Sequence, residues 1–376
     1  MNRDQIYLDH GASTPVHPQV IETMLPYWAE VYGNPSSNHE YGRVAAVALE
    51  GAREKIAALL NAHPSEIVFT GCGSESDNLA LRGVLWRARQ DQRGSHLIIS
   101  SIEHSAIKET ASQLQKLFGF DLTILPVDPF GRIRIADLKA AIRPDTALIS
   151  IMASNNEIGT LQPIAEIGDI AREQGILFHS DAVQSIGVQA WDMNRMSIDL
   201  MSIAPHKFYG PKGIGVLYVR DGIQLERSLT GGGQENGRRP GTENVAYAVG
   251  AAEALHLAVA ELPQTIAQYE TMRDRLIKGI LTALPDDSIL TGHPKKRLPH
   301  NASFAFRDVS GNDLLMHLDM AGIAASSGSA CKSGDPKPSA VLEAVGLDPE
   351  WTKGGLRLTV GRQNSMDEID TVLSVI

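Results

Sequence analysis

At 376 residues, with 43% hydrophobic and 21% charged side chains, the chain has the composition of a soluble globular protein long enough for two lobes. A formal net charge of −10 leaves no basic stripe to neutralise a phosphate backbone, which argues against direct nucleic-acid binding but not against small anionic ligands. Two cysteines, Cys72 and Cys331, exclude a disulfide framework. The N-terminal MNRDQIYLDHGASTP has no apolar signal core, and no run of about 18 apolar residues appears, so the expectation is a cytoplasmic protein with free thiols and no membrane partner.

In chain order, RVAAVALEGAREKIAALLN predicts a helix from residue 43, EIVFT a strand, and ESDNLALRGVLWRARQ a second helix. HLIIS, LTILPV, TALISIM, ILFHS, DLMSI and GVLYV are short apolar runs bounded by turn residues, with the helical pattern IAEIGDIAREQG among them. Such runs suit strands covered on both faces, which predicts an α/β fold with a mostly parallel sheet flanked by helices. GTENVAYAVGAAEALHLAVAEL reads as a long helix leading away from that layer, and QTIAQYETMRDRLIKGILTAL as the next. Mixed signals after it, SFAFRDV and LRLTV among them, predict a smaller α+β domain. The expected division is a large domain of residues 13–258 and a small one of residues 1–12 and 259–376.

Chemistry concentrates where strands end, since ligands of open α/β sheets collect at strand carboxyl ends. In DLMSIAPHKFYGPKGIGVLYV, Lys207 sits at such an end, either as a solvated loop lysine or as a shielded Schiff-base amine of lowered pKa. ILFHSDAVQS places Asp181 at the same edge, where a carboxylate can pair with a pyridinium nitrogen, as pyridoxal phosphate requires. FTGCGSESDNLALRG reads as strand, Gly-rich turn and helix. Gly71 and Gly73 allow close backbone approach, Ser74 serves as a cap, and the helix N–H groups make an anion site suited to a phosphate. No GxxxxGK[ST] pattern supports a nucleotide P-loop.

These stretches, with Gln184 and His206 in the same order, resemble the fold-type I pyridoxal phosphate enzymes of the class V aminotransferase group. SIEHSAIKE, SNNEIG, HKFYGPKGIG, GGGQENGRRPGTEN, SSGSAC and LRLTVGR narrow the resemblance to the cysteine desulfurases, from about residue 7 to the end. The resemblance implies that Lys207 forms the Schiff base and shuttles the Cα proton. It also implies that Asp181 holds the pyridinium, Gln184 contacts the ring hydroxyl, and His104 stacks over the ring and moves protons. Gly73, Ser74 and His206 would help seat the cofactor, Asn156 would reach cofactor or substrate carboxylate, and Arg357 would clamp that carboxylate. Arg362 is read as structural.

Thr242 would reach the phosphate in a neighbouring subunit, which implies a homodimer. Cys331 would attack the sulfur of L-cysteine, leaving alanine and a persulfide for an acceptor protein. Serine and glycine around it would give the chain freedom, and Lys332 would favour the thiolate. Iron–sulfur scaffold, tRNA-thiolation and DNA-sulfur-modification proteins all remain open as acceptors, and SSGSAC resembles the long-loop branch that hands sulfur directly to partners. Selenocysteine lysis and transamination are the rival activities, though transamination has no need of Cys331. Cys72 is expected to be a small buried filler. Relatives carry a phosphate-binding serine three residues before the lysine; Ala204 stands here, and Ser202 lies further back.

Overall fold

The computed structural model describes residues 5–327 and 338–376. Its strands, in chain order, are β1 (Ile6–Tyr7), β2 (Ile67–Thr70), β3 (His96–Ser100), β4 (Asp121–Leu125), β5 (Thr146–Ser150) and β6 (Leu177–Asp181), then β7 (Leu200–Ile203), β8 (Gly215–Val219), β9 (Ser288–Leu290), β10 (Asn301–Phe306), β11 (Ile323–Ala324) and β12 (Gly355–Thr359). Seven of them form one sheet in the order β2-β8-β7-β6-β5-β3-β4. Only β8 runs against the others, pairing antiparallel with β2 and β7.

Two-residue periodicity explains the two cores. Successive strand side chains point to opposite faces, so Ile67, Phe69, Ile98, Ile149, Phe178, Met201 and Val216 enter one hydrophobic cluster. Val68, Leu97, Ile99, Leu148, Leu200 and Leu217 enter the other, beneath the helices Gly73–Gln90 and Ser105–Phe118. Every apolar run read as a strand is one.

One helix lies elsewhere than its sequence suggested. Val245–Ala260 does not lead away from the layer: Ala248, Ala251, Leu255 and Ala258 bury into the first cluster, packed against the helix Glu40–Leu59. Small alanines on two facing helices let them approach closely, and a helix apolar all round is a buried one.

The remaining strands build a third core. β10 lies between β12 and β9 in a three-stranded antiparallel sheet. Phe304, Leu356, Leu358 and Val360 pack there against Tyr269, Leu276 and Ile280 of the helix Leu262–Ala283. The N-terminal β1 pairs in parallel with β11, and Asp9 bridges to Thr359 of β12. The first residues are thus carried beside the last, and Gly11 and Ala12 pass from there towards Lys207.

Candidate active site

Five strands of the large sheet deliver their carboxyl ends to one place. β2 leads through Gly71 into the helix Gly73–Gln90, β3 into Glu103 and His104, and β5 into Met152–Asn156. β6 ends on Asp181, and β7 runs through Ala204 into a single turn, Pro205–Lys207. Ser326 and Arg357 approach from the smaller sheet and Gly11 from the N-terminal segment. The result is a cavity of about 440 Å³ whose lining includes His104, Asn156, Asp181, Gln184, His206 and Lys207. That volume suits a ligand of cofactor size.

Lys207 Nζ donates to the carbonyls of Gly11 at 2.6 Å and Ala12 at 2.8 Å. Burial pushes its amine down from 10.5 to about 8; the positive charge of Arg357 adds to the effect, and Asp9 and Asp181 oppose it. Asp181 is 7% exposed, and its Oδ1 accepts the Val183 N–H at 2.9 Å. Burial raises its carboxyl above the usual range, against the lowering effect of that bond and of nearby His104 and Lys207.

His104 precedes the helix Ser105–Phe118, and its Nδ1 accepts the Ala106 N–H at 3.1 Å. Burial holds this imidazole below its ordinary value. A neutral ring whose Nδ1 accepts must carry its proton on Nε2. His206 is neutral too, held down to about 4 by burial and then by the charges of Lys207 and Lys212, and its Nδ1 lies 3.3 Å from Ser13 Oγ. Gln184 Nε2 donates to Gly11 O at 2.9 Å.

Arg357 is buried in β12. Its Nη2 lies 2.7 Å from Asp9 Oδ1, its Nη1 donates to Asn156 O at 2.9 Å, and its buried Nε has no partner among the described residues. Asn156 thus meets the arginine through its backbone. Arg362 pairs with Glu261 at 2.9 Å and lies over the Tyr209 ring.

Other placements depart from the sequence reading. Cys72 is exposed rather than buried: it precedes the helix Gly73–Gln90 and lines the cavity mouth. Ser74 does not cap that helix, because the helix already begins at Gly73 and Ser74 is its second residue. Ser202 points away from the cavity, its Oγ 3.0 Å from His179 Nε2. Thr242, read as serving a neighbouring subunit, is exposed and outside this chain's own cavity lining, which does not depart from that reading. Cys331 and Lys332 lie outside the described residues, between Ser327 and Pro338.

Sequence reasoning missed Asp9, Gly11 and Asp77. Asp77 lines the cavity at 2% exposure. No spacing pattern marks the first two, whose partners lie 173 to 348 residues away.

A lysine of lowered pKa facing a buried carboxylate across the carboxyl edge of a parallel sheet defines a pyridoxal phosphate-type centre. The chain belongs to the class-V aminotransferase family, whose model, described as "Aminotransferase class-V", matches residues 6–372. Enzymes of this family depend on pyridoxal phosphate. Cysteine desulfurase IscS of Methanosarcina thermophila is 47% identical over 371 residues, covering 99% of this chain and 91% of that protein. Among solved structures, a NifS-like protein is similar with a TM-score of 0.92 and 36% identity, covering 98% of this chain and 97% of that one. A structure described as SspA in complex with cysteine reaches a TM-score of 0.81 at 37% identity, covering 94% of this chain and 98% of that one. Within its class, this chain is a cysteine desulfurase.

Proposed function

We propose that the cavity binds pyridoxal phosphate and L-cysteine and that Cys331 takes the sulfur. The observation that carries this reading is the convergence of Lys207, Asp181, His104 and Arg357 on one cavity beside Ser326. The cofactor fits what is there. Lys207 offers the amine, Asp181 a buried partner for a ring nitrogen, and Gln184 a side chain beside the ring. The first N–H groups of the helix Gly73–Gln90 offer donors for a phosphate. A Cβ at position 73 would come within 3.1 Å of Val183 Cγ2 and 3.2 Å of Ala204 Cβ, so glycine keeps this helix start close to the strand ends.

When bound, pyridoxal phosphate supplies an electron sink that weakens the substrate Cα–H bond. The chain's own residues do the rest. Arg357 holds the substrate carboxylate, satisfying its partnerless Nε. Lys207, neutral near pH 8, takes and returns the Cα proton, and His104 Nε2–H stands as a second proton donor. Cys331 Sγ attacks the substrate sulfur: an S–S bond forms, the Cβ–S bond breaks with its electron pair moving to carbon, and a proton completes alanine. Ser326 lines the cavity and Cys331 follows five residues later, so the thiol has a reach of up to about 17 Å from it.

The chain would act as a cytoplasmic homodimer with Thr242 serving the partner's site, divided into residues 13–258 and residues 1–12 with 259–376. The pairing of β1 with β11 supports that division. No single described helix is long and apolar enough to cross a membrane. The persulfide would pass to an acceptor protein, with an iron–sulfur scaffold, a tRNA-thiolation enzyme and a DNA-sulfur-modification protein all compatible.

Cys331→Ala tests the reading. The variant is expected to keep its cofactor absorbance and to release no sulfide from cysteine with a reductant. Undiminished sulfide would reject Cys331 as nucleophile, and a protein that stays colourless with added pyridoxal phosphate would reject the cofactor.

A further inference from the structure

The mechanism leaves one buried acid in this cavity unused. Asp77, on the helix Gly73–Gln90, has an Oδ1 that is buried and, among the described residues, without a hydrogen-bond partner. One oxygen each of Asp77 and Asp181 and a ring nitrogen of His104 lie within 4.8 Å of one another. Among the described residues, no full positive charge acts on Asp77. His179, with Nε2 3.8 Å from Asp77 Oδ1, is neutral, its imidazole driven down to about 3 by burial. Ser202 hydrogen-bonds the Asp77 carboxyl and opposes its rise, and Glu103 beyond is another buried carboxyl, pushed up to about 8. His104 is held down by burial, and Lys207 acts on Asp181. Burial, then the charge of Asp181, raises Asp77 well above the carboxylate range. Two buried carboxyls this close do not both ionise without a cation between them.

We propose that Asp77 holds, in the cofactor-free protein, the proton that the ring nitrogen carries in the loaded protein. Docking of the ring on Asp181 places a positive charge against both carboxyls, and Asp77 then ionises. If the ring arrives unprotonated, the O–H bond of Asp77 breaks, the oxygen keeps the electron pair, and an N–H bond forms on the ring. If it arrives protonated, the Asp77 proton leaves to solvent. Either way the site keeps one proton and one net negative charge, so Asp77 acts as a proton reservoir behind Asp181.

This inference rests on the proposed pairing of Asp181 with the ring. Titration calorimetry in buffers of different ionisation enthalpy counts the protons exchanged on binding pyridoxal phosphate. A Lys207→Ala background removes the amine's own protons from the count. The expected result is that this protein releases about one more proton per site than the same protein carrying Asp77→Asn. Equal counts overturn the proposal, and absence of binding by the unsubstituted protein overturns the cofactor reading beneath it. Should Asp77→Asn fail to fold, infrared difference spectra of the unsubstituted protein decide. Loss of a protonated-carboxyl band on loading at neutral pH supports the reservoir, and absence of that band from the cofactor-free protein overturns it.

Discussion

Reductive alkylation of the cofactor-free protein with a small aldehyde reads the state of Lys207 directly, because only the neutral amine reacts. With the amine at about 8 instead of 10.5, roughly one molecule in eleven is neutral at pH 7, against about one in 3,000 for an ordinary lysine. For equal access, labelling at Lys207 should then exceed that of a free lysine peptide in the same tube by ~300-fold at pH 7. The Lys207 rate should climb about tenfold per pH unit below pH 7, about fivefold from pH 7 to 8, and then level, while the peptide climbs on towards its own higher value. Peptide mapping by mass spectrometry assigns the label. Arg357→Gln removes the second cause of the depression and should move the midpoint upward. A midpoint near 10 in the unsubstituted protein would refute the claim that burial activates this amine.

Four further outcomes follow from the same geometry. Because the folded amine titrates below its unfolded value, the unfolded chain binds more protons between pH 8 and 10.5, and stability must rise with pH through that window. Denaturation of cofactor-free protein should show the unsubstituted-minus-Lys207→Met stability difference growing by about 3 kcal/mol from pH 7 to pH 10.5. Ala204→Ser places a hydroxyl beside the start of the phosphate-facing helix and should tighten the cofactor by about 1 kcal/mol, roughly fivefold, in a fluorescence titration. Glu235 grips Arg53 Nη1 and Nη2 at 2.8 Å each and accepts the Phe69 N–H at 2.9 Å, so Glu235→Ala should cost about 3–5 kcal/mol in urea unfolding. Cys72, at the cavity mouth, should react with iodoacetamide in the cofactor-free protein, and alkylation there should block cofactor uptake; uptake at the control rate after full labelling would rule out its placement.

The sheet was legible because each strand is an apolar run long enough to be covered on both faces, and Asp181 and Lys207 were legible because they follow such runs. The helix Ser105–Phe118 was not, since its buried stripe is the narrow set Ile107, Thr110, Ala111 and Leu114 within a polar sequence. β1 and β11, of two residues each, are too short to alternate. Val245–Ala260 was recognised as a helix but misplaced, because a segment apolar on every side gives no sign of which layer it joins. Cys72 was misread through the general burial of free cysteines, a rule that fails where a residue ends a strand at a cavity. Asp9 and Asp77 take their meaning from neighbours that only the fold supplies.

Asp9 meets Arg357 across 348 positions of chain, and Gly11 N–H reaches Thr359 Oγ1 across the same span. During synthesis Asp9 and Gly11 therefore wait for their partners until positions 357–359 have emerged. Loop closure over such a span comes late and slowly. Arg357, proposed above to hold the substrate carboxylate, is therefore braced later than the strands that carry Asp181 and Lys207.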